Sequence, residues 1–368
     1  MAWDAVVIGG GVMGCAVAHR LARRGLRRVA VLERSIPGAE ASSAAGGILG
    51  AQAESAAGGA FLDLALKSRA AWPAYAEELH AATGVDIQYW PCGLLQLALD
   101  AQQARQLEQA LAWQRASGLR AQALSGAEVR ALEPAVTDSV RAGLLLPDDG
   151  QVEPRALMRA LQLAAAAAGV EFRTGYVKRV VQSGGRARGV ELDSELMEAG
   201  AVVLAAGSWS GLVDGCALPA RAVRPVRGQM VQLETRPPIA RHVLLLGHGY
   251  VIVRRDGRVL CGSTMEQVGF QKEVTAGGLR SILDLALAIV PALADAPVSG
   301  FWSNFRPYTE DQLPVLGGTP VEGLFLATGH FRNGILLAPI TAEIVADCIV
   351  DGRARLDLTP FRVERFGA

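Results

Sequence analysis

Six residues near the start of the chain have the spacing of a phosphate-binding turn. Gly9-Gly10-Gly11-Val12-Met13-Gly14 forms a GxGxxG motif. In such a turn the first glycine permits a tight bend, the second lets the backbone approach a pyrophosphate, and the third lets a helix pack closely on a strand. A helix that begins directly after the motif presents backbone N–H groups and its positive dipole end to the phosphates. The motif therefore predicts a dinucleotide site.

The residues around this motif predict the strand–helix–strand unit that such a site requires. Residues 5–8 and 29–32 are short apolar runs typical of buried parallel strands, and residues 12–24 have helical spacing that ends at Gly25. Glu33 closes the second run, where a carboxylate accepts hydrogen bonds from ribose hydroxyls and disfavours the 2′-phosphate of NADP. A chance glycine-rich turn is the competing interpretation, and the motif alone does not distinguish FAD from NAD.

Strand-like and helical segments further along the chain predict two interleaved domains. Helical spacing occurs over residues 62–79, 102–116, 152–168 and 336–350, and strand-like runs occur over 87–99, 170–172, 177–181, 189–192, 201–205, 226–259 and 324–327. Helix-flanked strands lie at the start, middle and end, and the stretches between them look antiparallel. We therefore expect an α/β plus α+β fold in which residues 1–85, 150–225 and 310–368 form a nucleotide domain and residues 86–149 and 226–309 form a second domain.

The length, charge balance and cysteine count exclude several classes of binding partner and site. The 368 residues are enough for two domains, and 36 lysines and arginines balance 36 aspartates and glutamates, which argues against a nucleic-acid or acidic-membrane partner. The five cysteines are scattered without a CxxC pair, so neither a disulfide framework nor a metal site is expected. No secretory signal is expected, and the apolar stretch 161–170 is too short to span a bilayer. These features predict a cytoplasmic, soluble protein.

Several motifs beyond the glycine turn resemble the D-amino-acid oxidase superfamily of FAD-dependent oxidoreductases. They lie at residues 4–14, 42–47, 206–211 and 329–334, and a narrower similarity to the glycine oxidase family lies at residues 49–54, 84–87, 249–253, 262–265, 301–307 and 330–339. The resemblance implies a Rossmann-like FAD-binding domain, an antiparallel-sheet substrate domain and a homo-oligomer. It also implies that glycine or a similar small amine is oxidised to the imino acid while O2 is reduced to H2O2. In this family the imino acid serves synthesis of the thiamine thiazole.

The chain departs from the family pattern at three places. Glu40-Ala41 stands where the family has an arginine-bearing approach to residues 42–47, and Gly228-Gln229 stands where the family has Gly-Glu. No cysteine lies within residues 306–309, where sarcosine-oxidase relatives attach the flavin covalently. The resemblance therefore implies that FAD is bound noncovalently.

Oxidation of an amino acid on a flavin requires a guanidinium and a hydroxyl that hold the substrate carboxylate. By resemblance, Arg306 is the predicted guanidinium and Tyr250 the predicted hydroxyl. From the residues alone, Arg306 fits equally a surface or stacked arginine on an aromatic hairpin, and Tyr250 is more commonly a core aromatic of a β-sheet. Arg332 is predicted to face the carboxylate or the flavin, with a cap or an interdomain salt bridge as the alternative. His248 is predicted at the pocket mouth, with a solvent-exposed turn histidine as the alternative. Met265 is predicted in the pocket wall, with a simple core methionine as the alternative.

The resemblance and the glycine motif together predict the residues that contact FAD. Two serines are expected near the phosphates, and a glycine pair is expected where the backbone passes the flavin ring. The helix that starts near residues 334–336 is expected to stabilise negative charge on the reduced ring. The full predicted set is Gly9, Gly11, Val12, Met13, Gly14, Glu33, Arg34, Ser42, Ser43, Gly46, Gly47, Val177, Gly207, Trp209, Gly329, Arg332, Asn333, Gly334, Ile335 and Leu336.

Two other functions stay open on the sequence. One is a flavin oxidase or dehydrogenase for a bulkier amino acid in a biosynthetic pathway, because the residues that set pocket size are not identifiable. The other is a noncatalytic FAD-binding module, which would explain the glycine motif and Glu33 but not the predicted carboxylate-binding residues.

Overall fold

The computed structural model describes residues 2–193 and 195–367. Its strands, numbered in chain order, are β1 (Trp3–Ile8), β2 (Val29–Glu33), β3 (Ile48–Leu49), β4 (Leu94–Ala98), β5 (Gln122–Ser125), β6 (Ala142–Leu146), β7 (Gly150–Gln151), β8 (Glu171–Thr174), β9 (Val177–Ser183), β10 (Arg186–Leu192), β11 (Glu195–Leu204), β12 (Arg224–Glu234), β13 (Val243–Leu246), β14 (Gly249–Val253), β15 (Arg258–Gly262), β16 (Val298–Tyr308), β17 (Val315–Gly318) and β18 (Leu324–Thr328). Its α-helices are α1 (Val12–Arg23), α2 (Ala41–Ala44), α3 (Ala60–Thr83), α4 (Ala101–Ala116), α5 (Gly126–Leu132), α6 (Pro154–Ala167), α7 (Ala276–Ile289) and α8 (Gly334–Val350).

The first sheet contains the strand–helix–strand unit at the start of the chain. Its strand order is β17-β18-β11-β1-β2-β8, in which β1 pairs in parallel with both β2 and β11, and only β17 runs antiparallel to its neighbour. β9 and β10 form an antiparallel extension from β11. The parallel strands are apolar on both sides because helices cover one face and this extension covers part of the other. The predicted Rossmann-like arrangement is confirmed.

Helix packing on the first sheet follows from the apolar spacing of the helices. Nine of the twelve residues of α1 are buried, and the other three are the half-buried Arg20 and Ala22 and the exposed Arg23. α1 packs against α6 and α8, and α3 packs against the same two helices. These helices and one face of the sheet form a single apolar core, so the first strand and helix are held rigidly where the glycine turn joins them.

The second sheet has the strand order β16-β12-β15-β14-β13-β4-β6-β5. Its pairs are antiparallel except that β13 and β4 run parallel. The predicted antiparallel substrate sheet is thus confirmed, with one parallel pair. Its strands lie between residues 94 and 146 and between residues 224 and 308. The proposed division of the chain into two domains at the predicted bounds stays a prediction.

α7 is the main element that the spacing did not predict. Thr275 caps it by accepting a hydrogen bond from the Gly278 N–H at 3.1 Å. The first turn contains Gly277 and Gly278, which are poor helix formers, so local propensity is weak there. Ile282, Ala286 and Ile289 are nevertheless buried against the second sheet, and this tertiary burial stabilises the helix.

The run 87–99 was predicted as strands, but only β4 within it is a strand. Residues 87–93 form no ladder apart from a bridge between Trp90 and Gln151. Pro91 lacks an N–H to donate, which shortens the strand. In the part of the chain that the structure describes, no helix is both long enough and apolar enough to cross a membrane.

Candidate active site

A long cavity opens at the carboxyl ends of β1 and β2 and extends to the second sheet. Its nucleotide end contains the glycine turn and the β2 terminus, and its far end contains side chains of the second sheet. Ligands of parallel α/β sheets bind at this edge because the strand order reverses there. Among the predicted site residues, the cavity is lined by Gly9, Gly11, Val12, Met13, Glu33, Arg34, Ser42, Gly46, Gly47, Val177, Gly207, Trp209, Tyr250, Arg306, Arg332, Asn333, Gly334 and Ile335.

The glycine turn is packed so tightly that two of its members cannot carry a side chain. Gly9 has a φ of +103°, and a Cβ there would lie 2.6 Å from the carbonyl oxygen of Ala205. A Cβ on Gly14 would lie 1.8 Å from the carbonyl oxygen of Gly9. Gly14 does not line the cavity, so its predicted role is limited to helix–strand packing.

Glu33 connects the end of β2 to the glycine turn. Its carboxylate accepts hydrogen bonds from the N–H of Gly10 at 2.9 Å and of Ser35 at 3.1 Å. The guanidinium of Arg34 lies 4.0 Å from the centre of the Trp209 ring, a cation–π contact that brings two predicted residues together. The carboxylate thus lies at the cavity where a ribose would hydrogen-bond to it, and it also holds the turn.

The segment from Ser42 in α2 to Gly46 is anchored both by α1 and by the connection between β14 and β15. Ser42 Oγ accepts a hydrogen bond from the Val12 N–H at 2.9 Å, which satisfies one donor in the first turn of α1. Arg254, almost fully buried, donates to the carbonyl oxygens of Gly46 at 2.6 Å and Val152 at 2.7 Å. Burial lowers the pKa of Arg254 to about 10. Sequence reasoning missed Arg254, because its partners are two backbone carbonyls and the Gln151 side-chain amide oxygen, all distant in sequence.

The far end of the cavity brings Arg306 and Tyr250 together across the second sheet. Arg306 Nη2 donates to Ser263 Oγ at 2.6 Å and Nη1 donates to the Thr264 carbonyl at 3.1 Å. Burial lowers the pKa of Arg306, whereas hydrogen bonding to the Tyr250 hydroxyl acts in the opposite direction. The Tyr250 hydroxyl also contacts Met230 Sδ at 3.0 Å. A half-buried guanidinium beside a phenol can hold a carboxylate.

Two glycines on the intervening strands leave room for these side chains. A Cβ on Gly228 would lie 2.2 Å from Arg306 Nη1, and a Cβ on Gly262 would lie 2.9 Å from the Tyr250 hydroxyl. β12 and β15, which contain these glycines, separate β16 from β14 in the sheet. The guanidinium and the phenol therefore lie directly over the backbone of these glycines, and the site requires that neither position has a side chain.

Arg332 lies in the loop between β18 and α8 and forms an ion pair within the cavity. Its Nη2 lies 2.9 Å from Glu54 Oε1. Both residues lie within the predicted nucleotide domain, so this pair is not the interdomain salt bridge considered as the alternative, and the Arg332 side chain still lines the cavity. Glu54 was missed as a site residue, since nothing local to its sequence identifies a partner 278 residues away.

Two predicted substrate-pocket residues do not reach the cavity. His248 lies in the exposed turn between β13 and β14, because the strand that holds Tyr250 begins only at Gly249. Met265 is 53% exposed beyond the end of β15, where its neighbour Glu266 pairs with Arg227. Neither side chain is part of the cavity lining, because side-chain direction depends on where each strand stops, and their pocket roles stay predictions.

Three predicted cofactor contacts are also displaced from the cavity lining. Ser43 lies in α2, where its N–H bonds to the Gly38 carbonyl at 3.2 Å. Gly329 forms a turn with a φ of +73°, and a Cβ there would lie 2.8 Å from Thr309. Leu336 is buried, and its carbonyl accepts hydrogen bonds from Ser68 and Trp72 of α3. These positions pack the walls of the site without facing its interior.

Comparison with known proteins assigns the family. The DAO profile, described as FAD dependent oxidoreductase, matches residues 4–348. The chain belongs to the DAO family of FAD-dependent oxidoreductases. The resemblance seen in the sequence motifs is thereby confirmed.

Relatives of this DAO-family chain include enzymes of two lengths. The bifunctional protein ThiO/ThiG of Trichormus variabilis is 37% identical over 380 residues, and the chain spans 55% of that relative's length. The glycine oxidase of Geobacillus kaustophilus is 37% identical over 369 residues, which cover 99% of this chain and 97% of the relative. The crystal structure of glycine oxidase from Geobacillus kaustophilus superposes with a TM-score of 0.94 at 36% identity and covers 99% of both chains.

FAD, the cofactor of the DAO family, fits the residues present. The first turn of α1 contains no acidic residue, and its residues Val12 and Met13 line the cavity, as a helix N-terminus that binds phosphates requires. Gly9 and Gly11 line the cavity without side chains, so a pyrophosphate could approach their backbone, and the Glu33 carboxylate lies at the same end of the cavity, where it could accept hydrogen bonds from a ribose. All five cysteines are among the described residues, and none lines the cavity. The backbone of the glycine turn and the Glu33 carboxylate would hold the cofactor.

We expect Glu33→Ala to weaken FAD binding by about 1–3 kcal/mol, because the Gly10 N–H then loses its partner and the ribose loses an acceptor. Titration of the apoprotein with FAD, followed by flavin fluorescence, measures the change. Glu191→Gln, which alters an exposed ion pair with Arg179, is the matched control and should bind FAD as the unaltered protein does. Equal affinities for all three proteins would contradict the role of Glu33.

His330, which lines the cavity, should make stability depend on acid pH. Burial lowers the pKa of His330 from 6.5 to about 3, and its Nε2 lies 3.0 Å from Thr341 Oγ1. The unfolded chain therefore takes up a proton below about pH 6.5, whereas the folded chain does so only near pH 3, and stability falls in that window as the pH falls.

When the pH is lowered from 7 to 5, the free energy of unfolding should fall by about 2 kcal/mol less in His330→Gln than in the unaltered protein. Urea unfolding at the two pH values measures this difference. Parallel losses in both proteins would show that His330 is protonated or exposed in the folded state.

Proposed function

We propose that the chain catalyses the FAD-dependent oxidation of glycine, or of a similarly small amino acid or secondary amine. For glycine, the balanced reaction converts glycine, O2 and water into glyoxylate, ammonia and H2O2. The observation that supports this proposal is the pairing of Arg306 with Tyr250 at one end of a cavity whose other end is a dinucleotide turn. The names of the full-length relatives support the choice of glycine.

Several residues at the substrate end of the cavity have a defined task in this reaction. FAD, when bound, accepts two electrons and the hydrogen from the substrate Cα. Arg306 binds the substrate carboxylate through paired N–H donors, and Tyr250 donates a further hydrogen bond to it. Met230 and Ile252, which pack beside Tyr250, exclude water from the carboxylate end. These contacts orient Cα toward the Gly46–Gly47 backbone, where the ring is expected to pass.

The N-terminus of α8 stabilises negative charge that develops at the cofactor end of the site. Asn333, Gly334 and Ile335 line the cavity, so the first turn of the helix opens onto it. A helix N-terminus carries partial positive charge and N–H donors without partners inside the helix. No cavity residue needs to act as a nucleophile or hold a metal in this proposal.

The biological setting is part of the same proposal. The ThiO/ThiG relatives support a role in supplying the imino acid for thiamine thiazole synthesis. Five free cysteines fit the reducing environment of the cytoplasm, and we place the enzyme there. A homo-oligomer is proposed from the family alone, and light scattering of the purified holoenzyme tests it.

The decisive experiment mixes the yellow holoenzyme anaerobically with glycine, sarcosine, D-alanine and bulkier amino acids. Bleaching of the flavin absorbance by the small substrates, followed by H2O2 formation once O2 is admitted, is the expected result. Bleaching only by bulkier amino acids, or reoxidation only by a dye, would establish the alternative oxidase or dehydrogenase. FAD binding without bleaching by any amino acid would indicate a noncatalytic module.

A further inference from the structure

Glu54 is a charged residue at the substrate end of the cavity to which the proposed reaction assigns no task. It lines the cavity together with Arg306 and Arg332, and its Oε1 lies 2.9 Å from Arg332 Nη2. The two paired side chains are only 16% and 25% exposed, so solvent screens the pair weakly. The cavity therefore contains a second arginine whose charge is already neutralised.

The backbone that carries Glu54 is held in place. Asp149, fully buried, accepts hydrogen bonds from the N–H groups of Gln52 and Ala53 at 3.1 Å, and Arg69 Nη1 lies 2.7 Å from the same carboxylate. The Glu54 N–H itself bonds to the Gly50 carbonyl at 3.0 Å. Glu54 thus projects from a fixed turn, and the ion pair does not depend on a mobile loop.

The charges at this end of the cavity match a substrate with one carboxylate. Arg306 and Arg332 supply two positive charges, and Glu54 supplies one negative charge. The charge of Arg332 lowers the pKa of Arg306, and the charge of Glu54 raises it. A substrate with a second carboxylate would have to displace Glu54 from Arg332. The displaced carboxylate would then repel the substrate, which is a cost that a monocarboxylate does not meet.

We propose that Glu54 determines specificity by occupying Arg332, so that the site accepts amino acids with one carboxylate and rejects dicarboxylates such as iminodiacetate and D-aspartate. The substrate class rests on the proposed function, but the charge selection itself applies to any anion that enters the cavity. A purely structural ion pair would instead affect all substrates alike.

The first test compares kcat/KM for iminodiacetate and for glycine in E54Q. Release of Arg332 should raise the ratio of the dicarboxylate to glycine by at least about tenfold. The double variant E54Q/R332Q should lose this gain, because the arginine supplies the new contact. E78Q, which alters the similarly exposed Glu78–Arg20 pair outside the cavity, should leave the ratio unchanged. A ratio in E54Q within about twofold of that in the unaltered protein would overturn the proposal.

The second test needs no turnover and separates this inference from the proposed function. Malonate and acetate are titrated into the FAD-loaded protein, and the perturbation of the flavin spectrum reports binding. E54Q should bind malonate about tenfold more tightly relative to acetate than the unaltered protein does. This result would support the charge selection even if no amino acid were oxidised.

A second variant guards against a failure to fold. Glu54→Ala removes the carboxylate without leaving an amide and should show the same change in the malonate-to-acetate ratio. Loss of FAD from both E54Q and Glu54→Ala would show that the ion pair is needed to assemble the site, and would overturn its role in selection.

Discussion

Arg306→Ala is expected to lower kcat/KM for glycine by about 30-fold to about 5,000-fold while FAD stays bound. The range corresponds to roughly 2–5 kcal/mol for removing one partner of a buried charged contact. Arg306 contacts Ser263 and Thr264 through hydrogen bonds and lies beside Tyr250, far from the glycine turn. Its removal should therefore empty the carboxylate position without disturbing the nucleotide end.

Steady-state peroxide formation and the flavin absorbance of the purified variant measure the two halves of this prediction. Arg306→Lys is the matched variant: it keeps the charge but not the paired N–H donors, so its loss should be smaller. A primary amine without a carboxylate should be oxidised, if at all, equally by the unaltered protein and by Arg306→Ala. Unchanged turnover of glycine in Arg306→Ala would show that another group binds the carboxylate.

Gly14→Ala is expected to abolish tight FAD binding and to destabilise the fold by about 1–3 kcal/mol or more. The added Cβ would lie 1.8 Å from the carbonyl oxygen of Gly9 and 3.3 Å from Val7 Cγ1. The nearest obstacle is backbone, which cannot turn aside as a side chain can. α1 must therefore move away from β1, and its N-terminus leaves the phosphate position.

Gly277→Ala is the matched control for this substitution. Gly277 also lies in the first turn of a helix, but a Cβ there meets nothing within 4 Å. Because alanine favours a helix by up to about 1 kcal/mol over glycine, this control should unfold at the same or a slightly higher temperature. Thermal unfolding with and without added FAD measures both variants. Retention of the yellow colour in Gly14→Ala would mean that the turn tolerates a wider helix–strand spacing.

The local features of the nucleotide end could be predicted from sequence. The apolar runs, the glycine spacing and the helix-ending Gly25 predicted β1, α1 and β2 to within one or two residues at each end. Such elements depend on neighbours within a few residues, and the buried core then only reinforces the local preference. The role of Gly14 in close packing likewise followed from the motif.

The substrate end could be predicted only in part. Arg306 and Tyr250 were identified through resemblance, and both line the cavity. His248 and Met265 occupied plausible positions along the chain, yet the ends of their strands turn both side chains outward. A shift of one residue at a strand end reverses which face a side chain occupies, and spacing alone does not resolve that shift.

The sequence by itself determined that the chain begins with a dinucleotide-binding unit. A strand, a glycine turn, a helix and Glu33 form this unit within about thirty residues of contiguous chain. Only the tertiary structure decided that Arg332 meets Glu54, that Arg254 anchors Gly46, and that bare backbone at Gly228 makes room for Arg306. Those contacts join segments separated by 78 to 278 residues. They exist because residues of both sheets meet around one cavity, and that meeting depends on the packing of the whole core.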